Sequence, residues 1–271
     1  MTFRFVLLSF LFLTSYASAQ TPAAYLKSEK EIHRHDKKLT TVAESLESWL
    51  AGRLSQAEFL ATLESCLKAC GEYRTLPPGV AQSLQTQEVS LLARISNFAS
   101  EKAPDSEGQR SLFLSLSGLT ESRTIRLIRW RQETLRKILA GNLTRDQHNY
   151  FRWELAWLEV WAREAELTHR LEEAFLAEGQ SEGEPQKILK SFLSLRVLAD
   201  NIACPASLES LDSTSTERLT LLTRTAEQLL RLDERRGSGA LTKVRRLSRQ
   251  LAEITSRFQS ERLARLEAIS K

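Results

Sequence analysis

The only methionine in the 271 residues is Met1, cysteine occurs three times and histidine four times. Beyond residue 20 no stretch is apolar and long enough to span a bilayer. Each scarcity excludes a chemistry. A methionine-ligated haem has no ligand once the N-terminus is removed, and a covalently attached haem lacks its C-x-x-C-H. A di-iron carboxylate bundle takes two Glu-x-x-His pairs from separate helices. Glu166-Leu-Thr-His169 is one such pair, but His33, His35 and His148 have no glutamate three residues earlier. His33 and His35 are two apart, a spacing that suits a metal site on a strand and separates the rings on a helix. No G-x-S-x-G, phosphate-binding loop or H-E-x-x-H occurs. The expectation is a protein with no cofactor and no enzymatic activity. The alternative is an enzyme whose scattered residues form no recognisable motif.

An excess of one charge is also missing. Residues 1–19 contain Arg4 and no acid, so the chain without them carries 37 basic and 34 acidic side chains. A mixed surface of this kind argues against nucleic acid as a partner. The N-terminus itself reads as a secretory signal peptide. Arg4 precedes the apolar run Phe5 to Leu13, and Ala17-Ser18-Ala19 fits cleavage between Ala19 and Gln20. The expectation is an exported protein, periplasmic or secreted, with residues 20–271 forming the mature helical domain. Sub-bundles over 20–103 and 109–271 are the expected subdivision.

What the chain does have is helical spacing punctuated by glycine and proline. Gly52, Pro77-Pro78-Gly79, Pro104 with Gly108, Gly141, Gly179 with Gly183 and Pro185, Pro205, and Gly237 with Gly239 fall between periodic segments. Apolar residues recur every three or four positions, as in Leu84, Leu91, Ile95 and Phe98, and in Leu241, Val244, Leu247, Leu251, Ile254 and Phe258. No sustained two-residue alternation appears. The fold class expected is all-α: an antiparallel bundle of about eight helices, several long and coiled-coil-like, joined by Gly/Pro elbows.

One elbow occurs twice. Residues 50–58 read LAGRLSQAE and residues 139–147 read LAGNLTRDQ. In each, a hydroxyl (Ser55, Thr144) precedes Glu58 or Gln147 by three, the pattern of a capping box. Gly52 and Gly141 are expected to end their helices in the left-handed conformation. His148 and Tyr150 then fall in the first turns of the following helix, and no nucleophile or carboxylate stands at a catalytic spacing from them.

The helix after Thr144 carries Trp153, Trp157 and Trp161 along one face with Tyr150, and Phe151, Leu155 and Leu158 beside them. That stripe is either core packing or an aromatic groove for a peptide or lipid. Glu154 falls between the two apolar strips and is expected to pair with an arginine of a neighbouring helix. Two basic clusters are the candidate partner-binding surfaces: Arg123, Arg126, Arg129 and Arg136 around Trp130, and Arg235, Arg236, Lys243, Arg245, Arg246 and Arg249. They suit an acidic protein face, unfolded clients or an anionic membrane surface. Among Cys66, Cys70 and Cys204, a disulfide from Cys70, or else Cys66, to Cys204 is the favoured pairing in an oxidising compartment, against three unpaired thiols.

Leu143-Thr144-Arg145-Asp146-Gln147 resembles the L-T-x-x-Q motif of small periplasmic stress proteins, over five residues. That resemblance implies a helical, chaperone-like protein that binds clients through basic surfaces. The functional expectation is a scaffold or adaptor of the cell envelope that binds protein partners. A chaperone-like stress protein is the alternative.

Overall fold

The computed structural model describes residues 21–69, 73–100, 106–176, 183–235 and 238–270. The expected signal segment, the 101–105 break and Cys70 lie outside them. All regular structure among the described residues is helical: α1 (Pro22–Leu50), α2 (Gln56–Ala69), α3 (Pro78–Ser100), α4 (Ser106–Leu139), α5 (Arg145–Leu176), α6 (Glu184–Asp200), a single 3-10 turn (Ala206–Leu208), α7 (Glu209–Arg235) and α8 (Ser238–Ile269). These eight helices pack against one another as the all-α expectation required. No described helix is long and apolar enough to cross a membrane.

The chain divides into two compact units, Met1–Trp130 and Arg131–Lys271, and the division falls within α4. In the first unit, paired residues fix the helix directions. Trp49 stacks on Phe59 and the Cys66 thiol lies against Lys38 O, so α1 and α2 are antiparallel. His35 meets Glu88 and Trp49 meets Phe98, so α1 and α3 run the same way. Gln87 meets Ser122 and Arg94 meets Ser115, which makes α4 antiparallel to α3. The result is an up-down-up-down four-helix arrangement. Its apolar centre contains Val42, Leu46, Phe59, Leu63, Leu92, Ile95, Phe98 and Leu112. In α3 it is Leu92, fully buried, that continues the inward stripe, while Leu91 packs on its edge.

The second unit repeats the plan. Gln147, Glu154 and Trp161 of α5 meet Ile269, Arg262 and Phe258 of α8, an antiparallel register. Thr214 and Glu217 of α7 meet Glu261 and Arg257 of α8, again antiparallel. Trp157 with Asp212 and Glu164 with Arg218 set α5 and α7 in the same direction. α6 packs against α5 and α7.

Local chemistry explains the helix ends. Thr21 Oγ1 accepts from the Ala24 amide and Pro22 occupies the first turn, where its missing N–H is no loss. The two predicted capping boxes form. The Ser55 amide donates to Glu58 at 2.8 Å and the Glu58 amide to Ser55 Oγ at 3.3 Å. The Thr144 amide donates to Gln147 at 3.0 Å and the Gln147 amide to Thr144 Oγ1 at 3.3 Å.

The glycines of the two elbows differ. Gly52 has φ of 69°, in the left-handed region. Gly141 does not adopt a positive φ, which corrects the expectation from sequence. Its amide closes a tight turn onto Ile138 O at 3.0 Å. A Cβ there would sit 3.3 Å from that carbonyl, whereas a Cβ on Gly52 would meet nothing but would force an L-residue into αL. Gly52→Ala is therefore expected to destabilise the first unit by about 1 kcal/mol. Gly141→Ala should change stability by less than about 0.5 kcal/mol, since only a slight shift is needed and the unfolded chain loses freedom. Urea unfolding of the two variants checks the contrast.

Candidate functional site

The elbow at 139–151 is a structural joint. Beyond its capping box, Gln147 Nε2 donates to Ile269 O at 2.7 Å and so ties the start of α5 to the end of α8. His148 is exposed and Tyr150 is buried in the core.

The arginine helix α4 is split between inside and outside. Arg126, Arg129 and Arg136 are exposed. Trp130 is buried and its ring lies 5.7 Å from Tyr25. Arg123 turns into the first unit, where Nε donates to Glu88 at 2.9 Å, one terminal nitrogen reaches Asp36 at 2.8 Å and the other donates to the Tyr73 hydroxyl at 3.0 Å. Arg123 and Trp130 thus belong to the interior and not to an outward basic face.

Around Arg123 lies the most connected polar cluster of the first unit. Glu88 occupies a position in the buried stripe of α3, between Leu84 and Leu92, at 1 % exposure. It receives hydrogen bonds from Arg123, from the Tyr73 hydroxyl and from His35 Nδ1 at 3.2 Å. The His35 ring stacks on Tyr73 at 4.0 Å. Burial pushes the Glu88 carboxyl up, but the His35 hydrogen bond and the Arg123 charge outweigh it and hold it below the usual range. Burial pushes the Tyr73 phenol well up, more than the Arg123 charge offsets, and the Glu88 carboxylate adds to the rise, so Tyr73 keeps its proton and donates to Glu88. Next to this cluster Glu31 accepts from the Arg74 and Thr75 amides, each at 2.9 Å, and Ser28 donates to Thr75 O at 3.0 Å. These bonds fasten the segment leading into α3 onto α1. The sequence signal for this cluster was Glu88 itself, a carboxylate at the i+4 step of an apolar stripe.

The tryptophan helix is core. Tyr150, Trp153 and Trp157 are fully buried and Trp161 nearly so. The rings of Trp153, Trp157 and Trp161 follow one another at 6.3 and 6.2 Å, and Phe258 meets Trp161 edge-on at 5.3 Å. The Trp153 and Trp157 indoles both donate to one oxygen of Asp212, at 2.6 and 2.8 Å. A buried indole N–H needs such a partner. Asp212→Ala removes the shared acceptor of both indoles at once and is expected to destabilise the second unit by about 2 kcal/mol, with Asp212→Asn losing less. Denaturant unfolding followed by tryptophan emission measures both.

Glu154 finds an arginine on α8: Arg262 Nε donates to it at 2.9 Å, with both side chains buried. Glu164 pairs with Arg218 at 2.6 Å. Burial pushes the Glu164 carboxyl above its usual range, more than Arg218 offsets.

The second basic cluster lies mostly beyond description: Arg236 is outside the described residues, as are the side chains of Arg235, Lys243, Arg245 and Arg249, while Arg246 is exposed. Cys66 and Cys204 are free thiols, one buried and one exposed, and the expected partner of Cys204, Cys70, lies outside the described residues. Partial burial and the neighbouring Asp212 and Glu209 carboxylates push the Cys204 thiol up, which disfavours the nucleophilic thiolate. His169 Nε2 lies 3.4 Å from Glu173, one turn along its own helix. Among the described residues no three of histidine, cysteine, aspartate and glutamate converge to hold a metal. No protein-family model, curated protein or solved structure matches this chain.

Proposed function

We propose that this protein is an exported, non-enzymatic scaffold or adaptor of the cell envelope, which holds a protein partner through exposed arginines. The observation that carries this reading is the division of α4. Arg123 and Trp130 anchor the helix inward, while Arg126 and Arg129 point to solvent from the same stretch. A helix fixed by its own buried ion pair presents the remaining cations in a set geometry, which suits recognition of an acidic face. A second feature supports a binding role over catalysis. The groups suited to move protons in the two interiors are engaged in hydrogen bonds: His35, Glu88 and Tyr73 with one another in one, Glu164 with the Arg218 guanidinium in the other. The export element rests on the N-terminal sequence.

A photo-crosslinking amino acid at Arg126, with a second at Arg246 and a control at the exposed Glu44, tests this in the exported protein. One dominant captured protein supports the adaptor. A broad, salt-sensitive set of envelope proteins favours the chaperone-like alternative. Capture no greater than at Glu44 overturns the reading.

A further inference from the structure

The helix α6 carries two stripes at heptad spacing on opposite faces. Ile188, Phe192, Leu195 and Ala199 form the inner one, and all four are buried. Gln186, Lys190, Leu193, Val197 and Asp200 form the outer one, stepping by four, three, four and three, and all five are exposed. Leu193 and Val197 are two of the most exposed large apolar side chains among the described residues, at 45 % and 62 %. This stripe, apolar at its centre and facing water, has the spacing that a helix-pair seam requires of one of its two helices.

We propose that the outer face of α6 is a homodimer contact, in which α6 packs antiparallel on α6 of a second copy. The charge pattern selects that occupant. In an antiparallel pair about a twofold axis, residues equidistant from one level of the helix meet. Leu193 and Val197 are equidistant from Leu195, and so are Lys190 and Asp200. A single axis at that level therefore places Leu193 on Val197 and Lys190 on Asp200, twice each. A parallel pair would set Lys190 against Lys190 and Asp200 against Asp200. Antiparallel packing turns the same four charges from repulsive to complementary. One contact opposes it: Arg196, on the flank of the seam and exposed, approaches its own copy near the axis. With four apolar side chains at the centre and a helix about 25 Å long, the contact is small and the dimer weak, in the micromolar range.

Sedimentation velocity on the chain from residue 20, over about 1 to 200 μM, reads the monomer–dimer equilibrium directly. Val197→Glu is expected to weaken dimerisation by at least about tenfold without changing helicity by circular dichroism, because the side chain is exposed in the monomer. Lys190→Glu alone should weaken it about fivefold, and Lys190→Glu combined with Asp200→Lys should restore it to within about twofold. Arg196→Ser should tighten it. A chain that stays monomeric at the highest concentration overturns the proposal. So does a dimer indifferent to Val197→Glu, and so does a double charge reversal that fails to restore what Lys190→Glu removes.

Discussion

Arg262→Met is expected to destabilise the second unit by about 3–5 kcal/mol. Glu154 is 0 % exposed and Arg262 2 %, and both the Nε and a terminal nitrogen of the arginine donate to one carboxylate oxygen. Neither side chain has bulk water to fall back on. With the arginine gone, the buried Glu154 carboxylate loses both charge-assisted hydrogen bonds from Arg262, and the cost of its burial is no longer offset by that charge. Glu154→Leu combined with Arg262→Met tells a different story. Both desolvated charges are then absent, and the pair of apolar side chains is expected to leave stability within about 1–2 kcal/mol of the parent or above it. Urea unfolding of the two single variants and the double, read by tryptophan emission, gives the coupling between the residues. Nearly additive losses would show that the two side chains act independently, against the geometry.

Glu88→Ala is the second large effect, expected at about 3–4 kcal/mol in the first unit. It leaves the Tyr73 hydroxyl, the His35 ring nitrogen and the Arg123 Nε without their common acceptor. Asp36 still holds Arg123 from the exposed side, which limits the loss. Glu88→Gln should be milder, because the amide oxygen keeps one or two of those bonds. The same carboxylate sets a pH dependence. Glu88 and Glu31 both titrate below the ordinary range in the folded chain. The unfolded chain therefore binds their protons first, and the stabilisation they provide is complete above a pH of about 4.3 and lost as pH falls through their folded values. Glu164 has the opposite sign: its folded value is raised, so the second unit loses stability as pH rises from the ordinary glutamate range through that raised value. Acid titration should consequently open the first unit before the second. In Glu88→Gln, the acid-dependent loss of the first unit should shrink, while the response of the second stays unchanged. Acid unfolding of the first unit that is identical in parent and Glu88→Gln would rule out this assignment.

Much of the architecture could be read from neighbours in the chain. Helix starts at Ser55 and Thr144 follow from hydroxyl and carboxyl or amide groups three residues apart, and both capping boxes form. The tryptophan stripe was legible as one apolar face because 153, 157 and 161 repeat at the helical step, and burial decided for core packing over a groove. Glu154 announced a need for a partner by its place between two apolar strips, but not the partner, which stands 108 residues away. Asp212 gave no signal: an aspartate in the first turn of a helix is ordinary, and only packing brings two indoles to it. Arg123 was misleading for the opposite reason. In a run of arginines it looks like its neighbours, and Asp36 and Glu88 decide that it points inward.

By itself the sequence determined the class of structure and the places where its helices stop, because helical periodicity, capping and glycine or proline breaks act within a few residues. It also determined the chemistries for which no motif is present. Tertiary structure alone decided which charges are surface and which are interior, and how the helices distribute into two units. The physical reason is range. A charge is placed by the cost of removing it from water against the partners that repay it, and those partners come from helices far away in sequence. α6 shows both levels at once: heptad spacing fixed its two faces, and burial against α5 and α7 decided which one was left to solvent.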